Sequence, residues 1–228
     1  MKKYAVIVAA GSGKRMESDT PKQFLLLKNR AVLWHTLNAF LKAFNDMEII
    51  LVIANEYVFT AEGIAKSTID PNRIIITVGG NSRFDSVKSG LKHVHENAIV
   101  FVHDGVRCLV TETLIRRCYE AAVKKGNAVP AIKVVDSLRL ETKDGNEIID
   151  RNKIRSIQTP QTFSSGIIKV AFEQPYNASF TDEASVVETM GVKINLIEGE
   201  ANNIKITKPI DLVIAEKIFE GRDLEFGS

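Results

Sequence analysis

Short apolar runs without polar alternation recur along the chain: YAVIVA (4–9), IILVI (49–53), IIITV (74–78), IVFV (99–102) and NAVPAI (127–132). A strand with one wet face alternates polar and apolar residues, so these runs read as strands covered on both faces. Between the first two, Leu33, Leu37, Phe40, Leu41 and Phe44 recur at helical spacing, which predicts a helix of about fourteen residues with a buried stripe. A second helix runs from an N-cap at Thr111 to Gly126, with Lys124 and Lys125 at its negative end. Strands that alternate with helices in this way build a mostly parallel α/β sheet.

Residues 136–155 break the rhythm. DSLRLETKDGNEIIDRNKI reads as two polar, alternating strands around the turn KDGN. A two-stranded hairpin is marginal alone, so it is expected to lie on something else, a partner subunit first of all. After it, TDEASVVETMG predicts a short helix capped by Asp182 and closed by Gly191, then a strand over 193–198 and a last helix begun by Pro209.

At 228 residues and 45% hydrophobic, the chain is long enough to bury a large core as one domain, with the hairpin as an arm at about 136–155. Thirty basic against twenty-eight acidic side chains give a net charge of +2, too balanced for wholesale nucleic-acid binding. The only cysteines, Cys108 and Cys118, lack metal-ligand spacing and predict no disulfide, which suggests a reducing compartment. The start MKKYAVIVAA imitates a signal peptide, but its apolar run gives way at once to GSGKRM and reads as a buried first strand. No run approaches the roughly 18 apolar residues needed to span a bilayer. A cytoplasmic protein without membrane contact is expected.

The first strand ends in GSGKRMESDTPKQF, which gathers Lys14, Arg15 and Lys22 beside a glycine turn. A P-loop would need glycine where Val8 stands and Ser or Thr where Arg15 stands. A dinucleotide fingerprint would need a small residue in place of Met16 and an acid closing the second strand, where only Glu56 is near. The physics survives both rejections, because Gly11 and Gly13 let the backbone approach an anion and the turn's N–H groups suit phosphate oxygens. The bland alternative is a strand-to-helix turn with solvated lysines.

GGNSRFDSV follows the strand at 74–78 and HDGVR the strand at 99–102, so three loops converge where open α/β sheets bind ligands. Asp104 there suits Mg²⁺, since a hard cation on phosphates takes one or two carboxylates and keeps waters; it could instead cap the next turn. Arg83 and Asp85 are open to two readings, a site pair or a local ion pair. His103, Trp34 and Cys118 are expected to be packing or structural residues.

AAGSGKRM…PKQF, GGNSRFDSV, VHDGVR, DRNKIRSIQTPQTF, TDEAS and NNIKIT resemble, in order and spacing, the 2-C-methyl-D-erythritol 4-phosphate cytidylyltransferases, over residues 4 to about 216. The resemblance implies a Rossmann-like three-layer α/β/α nucleotidyltransferase fold with a protruding β-hairpin arm. It implies transfer of CMP from CTP to 2-C-methyl-D-erythritol 4-phosphate, with Mg²⁺, or Mn²⁺, bound at Asp104. It places Lys22 at the α-phosphate, and Arg15 with Gly11, Ser12, Gly13 and Lys14 at the β- and γ-phosphates. Ala9, Ala10, Gly80, Asn81 and Ser86 would form the cytosine pocket. Thr159, Thr181 and Lys205 would surround the acceptor, with Arg151 arriving on the arm of a second subunit in a homodimer; Arg107 would be a further substrate-binding residue.

The chain departs from the family at Gly105, Val106 and Cys108 around Arg107, where proline is usual after the arginine. Ser137 and Arg139 replace threonine and lysine. Asn202 stands where an acid often precedes the asparagine of NIK, and so offers no second metal carboxylate. Three rivals share some of these features: a ribitol 5-phosphate cytidylyltransferase, a sugar-nucleotide synthase using another nucleotide, and a non-catalytic nucleotide-binding regulatory domain. The acceptor-side segments TDEAS and DRNKIRSIQTPQ favour the isoprenoid enzyme over the ribitol enzyme, and the presence together of Lys22, Asp104, Arg151, Thr181 and Lys205 argues against a regulatory domain.

Overall fold

The computed structural model describes residues 1–11 and 20–226, with side chains as far as residue 222. Strand β1 (Lys2–Val8) is followed by a small ribbon, β2 (Leu26–Leu27) and β3 (Arg30–Ala31), then helix α1 (Val32–Ala43) and β4 (Met47–Ile53). Next come α2 (Val58–Lys66), β5 (Ile74–Val78), α3 (Arg83–Leu91), β6 (Ala98–Asp104), α4 (Glu112–Lys125) and β7 (Asn127–Lys133). The hairpin of β8 (Leu138–Thr142) and β9 (Gly145–Ile149) follows, then β10 (Arg155–Ile157), β11 (Gln161–Ser164) and α5 (Ser165–Ala171). The chain closes with α6 (Glu183–Glu188), β12 (Leu196–Glu198) and α7 (Pro209–Phe226).

The main sheet runs β5-β4-β1-β6-β11-β7, with β10 and β12 also pairing to β7. Pairing is parallel throughout except at β11 and β10, which run against their neighbours. The apolar runs therefore form the parallel strands they predict. Period-two geometry divides their side chains between two layers. Ala5 and Ile7 of β1 face α1 and α4 in one buried cluster, while Tyr4 and Val6 face α3, α5 and α6 in the other. A third cluster packs α7, through Ala215, on Leu27, Val106, Cys108 and Leu109.

Helix ends follow local chemistry. Thr111 caps α4 by accepting from the Leu114 N–H at 3.0 Å, and Gly126 closes it with φ +84°. Asp182 and Ser185 form a capping box at α6. The strand expected over 193–198 is shorter, because the Asn127 side chain takes the backbone of Lys193 and Asn195 in place of a ladder partner. The hairpin forms at 138–149 as a separate two-stranded sheet, and Val135, Leu140 and Ile148 on and beside it are exposed.

Candidate active site

Strands β1, β5 and β6 end on one edge of the sheet, and backbone bonds hold their outgoing loops to the neighbouring strands. Ala9 N–H donates to Val52 O at 2.8 Å, Gly79 N–H to Ile53 O at 2.8 Å and Gly105 N–H to Val8 O at 2.9 Å. The crevice between the loops holds about 420 Å³ and is lined by Ala9, Ala10, Gly11, Lys22, Gly80, Asn81, Ser86, Asp104 and Lys205, together with Gln23 and Arg83. The structure thus brings Lys22 and Lys205 together with Asp104 and the residues expected around the base, without Arg151. Ser12, Gly13, Lys14 and Arg15 lie outside the described residues.

The nucleotide side is shaped by hydrogen bonds that composition does not reveal. Gln23, buried, donates Nε2 to Ala9 O at 2.8 Å and to Gly11 O at 3.2 Å, so the turn after β1 is held open by an amide. Ser86 Oγ accepts from Gly80 N–H at 3.2 Å and donates to Ser82 O at 2.9 Å. A Cβ on Gly80 would lie 2.4 Å from Asp85 Cβ, and one on Gly79 2.8 Å from Ala10 Cβ. Only glycine permits the β5 loop to sit this close to α3.

Asp85 is not the partner of Arg83. Its carboxylate accepts from Ser82 N–H and Oγ in a capping box, as the helix N-terminus favours. Arg83 instead spans Glu183 and Asp104, with Nη2 at 3.2 Å from Asp104 Oδ1. Asp104 Oδ2 has Lys205 Nζ at 3.0 Å and Arg107 Nε at 3.5 Å. Burial alone would raise the Asp104 carboxyl, but Arg83, Lys205 and Arg107 outweigh it and hold the group well below the usual carboxylate range. Those three cations favour its anionic form.

A second, adjoining hollow of about 230 Å³ is lined by Arg107, Thr159, Gln161, Thr181 and Asp182, and it shares Arg83, Asp104 and Lys205 with the first. The acceptor residues expected from the sequence therefore meet here, apart from Arg151. That residue borders neither hollow, and its guanidinium donates to the carbonyl of Val135 at the base of the arm. Thr159 Oγ accepts from Asp104 N–H at 3.2 Å and lies 3.0 Å from His103 Nδ1. His103 Nε2 faces Arg107 O at 3.2 Å, which puts the ring proton on Nε2 and leaves Nδ1 to accept from Thr159. Burial pushes His103 down to about 3, so it is a neutral structural group, as expected. Trp34 and Cys118 likewise serve packing, Trp34 with Nε1 bonded to Ser67 O.

Among the described residues no three metal-ligating side chains cluster. Asp104 is, among the described residues, the carboxylate that lines the nucleotide hollow, and as an anion with a lone pair to spare it suits a Mg²⁺ ion that draws its other ligands from phosphates and water. Asn202 is exposed and lines a different cavity, so it supplies nothing to this centre.

Two adjoining hollows at one edge of the sheet thus share Arg83, Asp104 and Lys205. The family model for 2-C-methyl-D-erythritol 4-phosphate cytidylyltransferase matches residues 4–221. The enzymes of that name from Bacteroides thetaiotaomicron and Phocaeicola vulgatus are 44% and 43% identical to the chain, over 96% and 95% of its length and 100% and 99% of theirs. The crystal structure of 4-diphosphocytidyl-2C-methyl-D-erythritol synthase from Anaerococcus prevotii superposes with a TM-score of 0.83 at 28% identity, covering 96% of each chain. That of the Thermus thermophilus cytidylyltransferase gives 0.76 at 31% identity, over 96% of this chain and 100% of the other. The chain belongs to the 2-C-methyl-D-erythritol 4-phosphate cytidylyltransferase family.

Proposed function

We propose that this crevice transfers CMP from CTP to 2-C-methyl-D-erythritol 4-phosphate, giving 4-diphosphocytidyl-2-C-methyl-D-erythritol and pyrophosphate for isoprenoid biosynthesis. The observation that carries the reading is the seam: two hollows, one for each substrate, share Arg83, Asp104 and Lys205.

A phosphate monoester has a second pKa near 6, so the attacking oxygen is ionised at neutral pH and needs no general base. The barrier is repulsion between two anions. The acceptor oxygen bonds to the α-phosphorus as the bond to the bridging oxygen breaks, and the electron pair leaves on pyrophosphate. Lys22 steadies the charge gathering on the α-phosphate, and Lys205 acts beside it at the seam. Gly11 with Ser12, Gly13, Lys14 and Arg15 receives the β- and γ-phosphates. Ala9, Ala10, Gly80, Asn81 and Ser86 read cytosine, largely through backbone groups. Arg107, Thr159 and Thr181 hold the acceptor. Mg²⁺, or Mn²⁺ in its place, held by Asp104 and the nucleotide phosphates, supplies Lewis-acid and template effects when bound.

Arg151 is assigned to the acceptor of a neighbouring subunit in a homodimer, since it lies at the foot of an arm whose apolar residues Leu140 and Ile148 are exposed. Sedimentation at micromolar protein checks this; a fully active monomer contradicts it. A cytoplasmic location accords with two buried thiols, and among the described residues no helix is long and apolar enough to cross a membrane.

The testing experiment is pyrophosphate release from CTP offered with methylerythritol 4-phosphate or with ribitol 5-phosphate. Release with the first alone is expected. Release only with the second favours the ribitol enzyme, and release with neither favours a regulatory domain. Lys22→Ala is expected to retain CTP binding while turnover falls roughly a hundred- to a thousandfold.

A further inference from the structure

One irregular loop, between the end of β12 and the start of α7, serves both lysines of the seam. Lys205 lies in it, with Nζ 3.0 Å from Asp104 Oδ2, and the carbonyl of the next residue, Ile206, accepts from Lys22 Nζ at 3.0 Å. Without a regular ladder of its own, such a loop holds its shape only through bonds from outside. Two uncharged amides supply four of them, beside backbone bonds to Ala131 and Val106 and side-chain bonds from Arg107, Thr111 and Arg117. Gln158, buried, treats Glu200 as a strand neighbour would: its Oε1 accepts from Glu200 N–H at 3.1 Å and its Nε2 donates to Glu200 O at 2.8 Å. The fit is close, since a Cβ on Gly199 would fall 2.5 Å from Gln158 Oε1.

Asn203, fully buried, donates Nδ2 to Thr159 O at 2.9 Å, while its own carbonyl accepts from Arg107 Nη1 at 2.8 Å. Ile206 N–H completes the attachment by donating to Val106 O at 3.0 Å. The loop is thereby fixed to the segments on either side of Asp104, the one leaving β6 and the one entering β11. A displacement of about 1 Å in a charge-stabilising group can lower a rate roughly a hundredfold. Placement of the two ammonium groups therefore depends on two side chains that carry no charge.

We propose that Gln158 and Asn203 are positioning residues of the transfer reaction, acting through Lys205 and Lys22. The proposal rests on the roles given to those lysines above. Gln158 borders the acceptor hollow, yet its amide is committed to Glu200 and Asn203, so it works on the loop and not on a substrate.

The test is a double-mutant cycle read by steady-state kinetics, with thermal melting to establish folding. Gln158→Met is expected to lower kcat tenfold or more with KM for CTP within twofold of the parent. The double variant Gln158→Met with Lys205→Ala is expected to turn over well above the product of the two single losses, because the share carried through Lys205 is already gone and only the share carried through Lys22 remains. Losses that multiply would overturn the proposal, since a general weakening of the fold adds to any second loss. Should Gln158→Met not fold, Asn203→Leu, which keeps much of the volume and loses the donor to Thr159 O, enters the same cycle with the same expectation. Near-parental turnover by Lys205→Ala alone would instead remove the lysine's own role and the proposal with it, and the single variant separates that failure from the other.

Discussion

Arg83 and Glu183 stand 100 positions apart in the chain and pair beside the two hollows that Arg83 lines, with both terminal guanidinium nitrogens on one carboxylate and Nη2 3.2 Å from Oε2. Glu183 is 1% exposed at its side chain and Arg83 32%. Burial pushes the Glu183 carboxyl up, and Arg83 opposes this only in part. Such pairs add little net stability, yet removing one member strands the other. Glu183→Gln is expected to lower stability by about 1–3 kcal/mol in chemical denaturation, below the fully buried range because Arg83 keeps some water. Replacing both, as Arg83→Met with Glu183→Leu, is expected to restore most of that stability. Because Thr181 and Asp182 immediately precede Glu183, KM for the acceptor is expected to rise more than KM for CTP in the single variant. Equal rises would contradict the placement.

Gln23 holds the turn after β1 through two donated bonds from one nitrogen. Gln23→Leu leaves the carbonyls of Ala9 and Gly11 without that donor, at roughly 1–3 kcal/mol for a buried group. Gln23→Glu is expected to be worse, since a carboxylate oxygen would face both carbonyls. Titration calorimetry with CTP checks the order: affinity falls in Leu and falls further in Glu. The reverse order would show that the amide does not act as donor.

At Gly80 the obstacle to a side chain is the α3 cap itself, with Asp85 Cβ at 2.4 Å and its carbonyl carbon at 3.3 Å. Gly80→Ala must displace the loop bearing Asn81, and KM for CTP is expected to rise roughly ten- to a hundredfold, with weaker preference over UTP. KM for the acceptor is expected to hold. Unchanged discrimination between CTP and UTP would detach this loop from base recognition.

Burial pushes the thiols of Cys108 and Cys118 up to about 12 from 9.0. An acid whose folded pKa is raised binds its proton more tightly in the native state, so stability is intact below pH 9 and declines as pH rises toward 12. The slope is about 1.4 kcal/mol per pH unit for each thiol at most. Urea denaturation between pH 8 and pH 10.5 is expected to show a steeper loss in the parent than in Cys108→Ala with Cys118→Ala. Parallel curves would contradict the burial of the thiols.

Much of the fold was legible because each layer of the sheet leaves an apolar imprint. The run at 74–78 is β5 to the residue, and Thr111 and Gly126 bound α4 through chemistry that a sequence displays. Strands β10 and β11 left no such trace. Gln161 and Thr162 are buried polar residues in β11, Gln161 satisfied by Asp182 and Ala184, so no apolar run marks them. In the site, charged residues were found by their loops and by resemblance. The partner of Arg83 stays open in the sequence because Asp85 lies near while Glu183 arrives only through folding. Gln23, Gln158 and Asn203 lay inside quoted segments, but an uncharged amide announces no chemistry until its carbonyl partners are in place.

The central claim is that one cationic seam receives both phosphorylated molecules. A crystal structure of the chain with CTP and Mg²⁺ tests it most directly. The account predicts the triphosphate against Gly11 and Lys22, with its α-phosphate facing the Asp104 and Lys205 floor and cytosine over Gly80 and Asn81. A nucleotide bound elsewhere, with this crevice left to solvent, would contradict it.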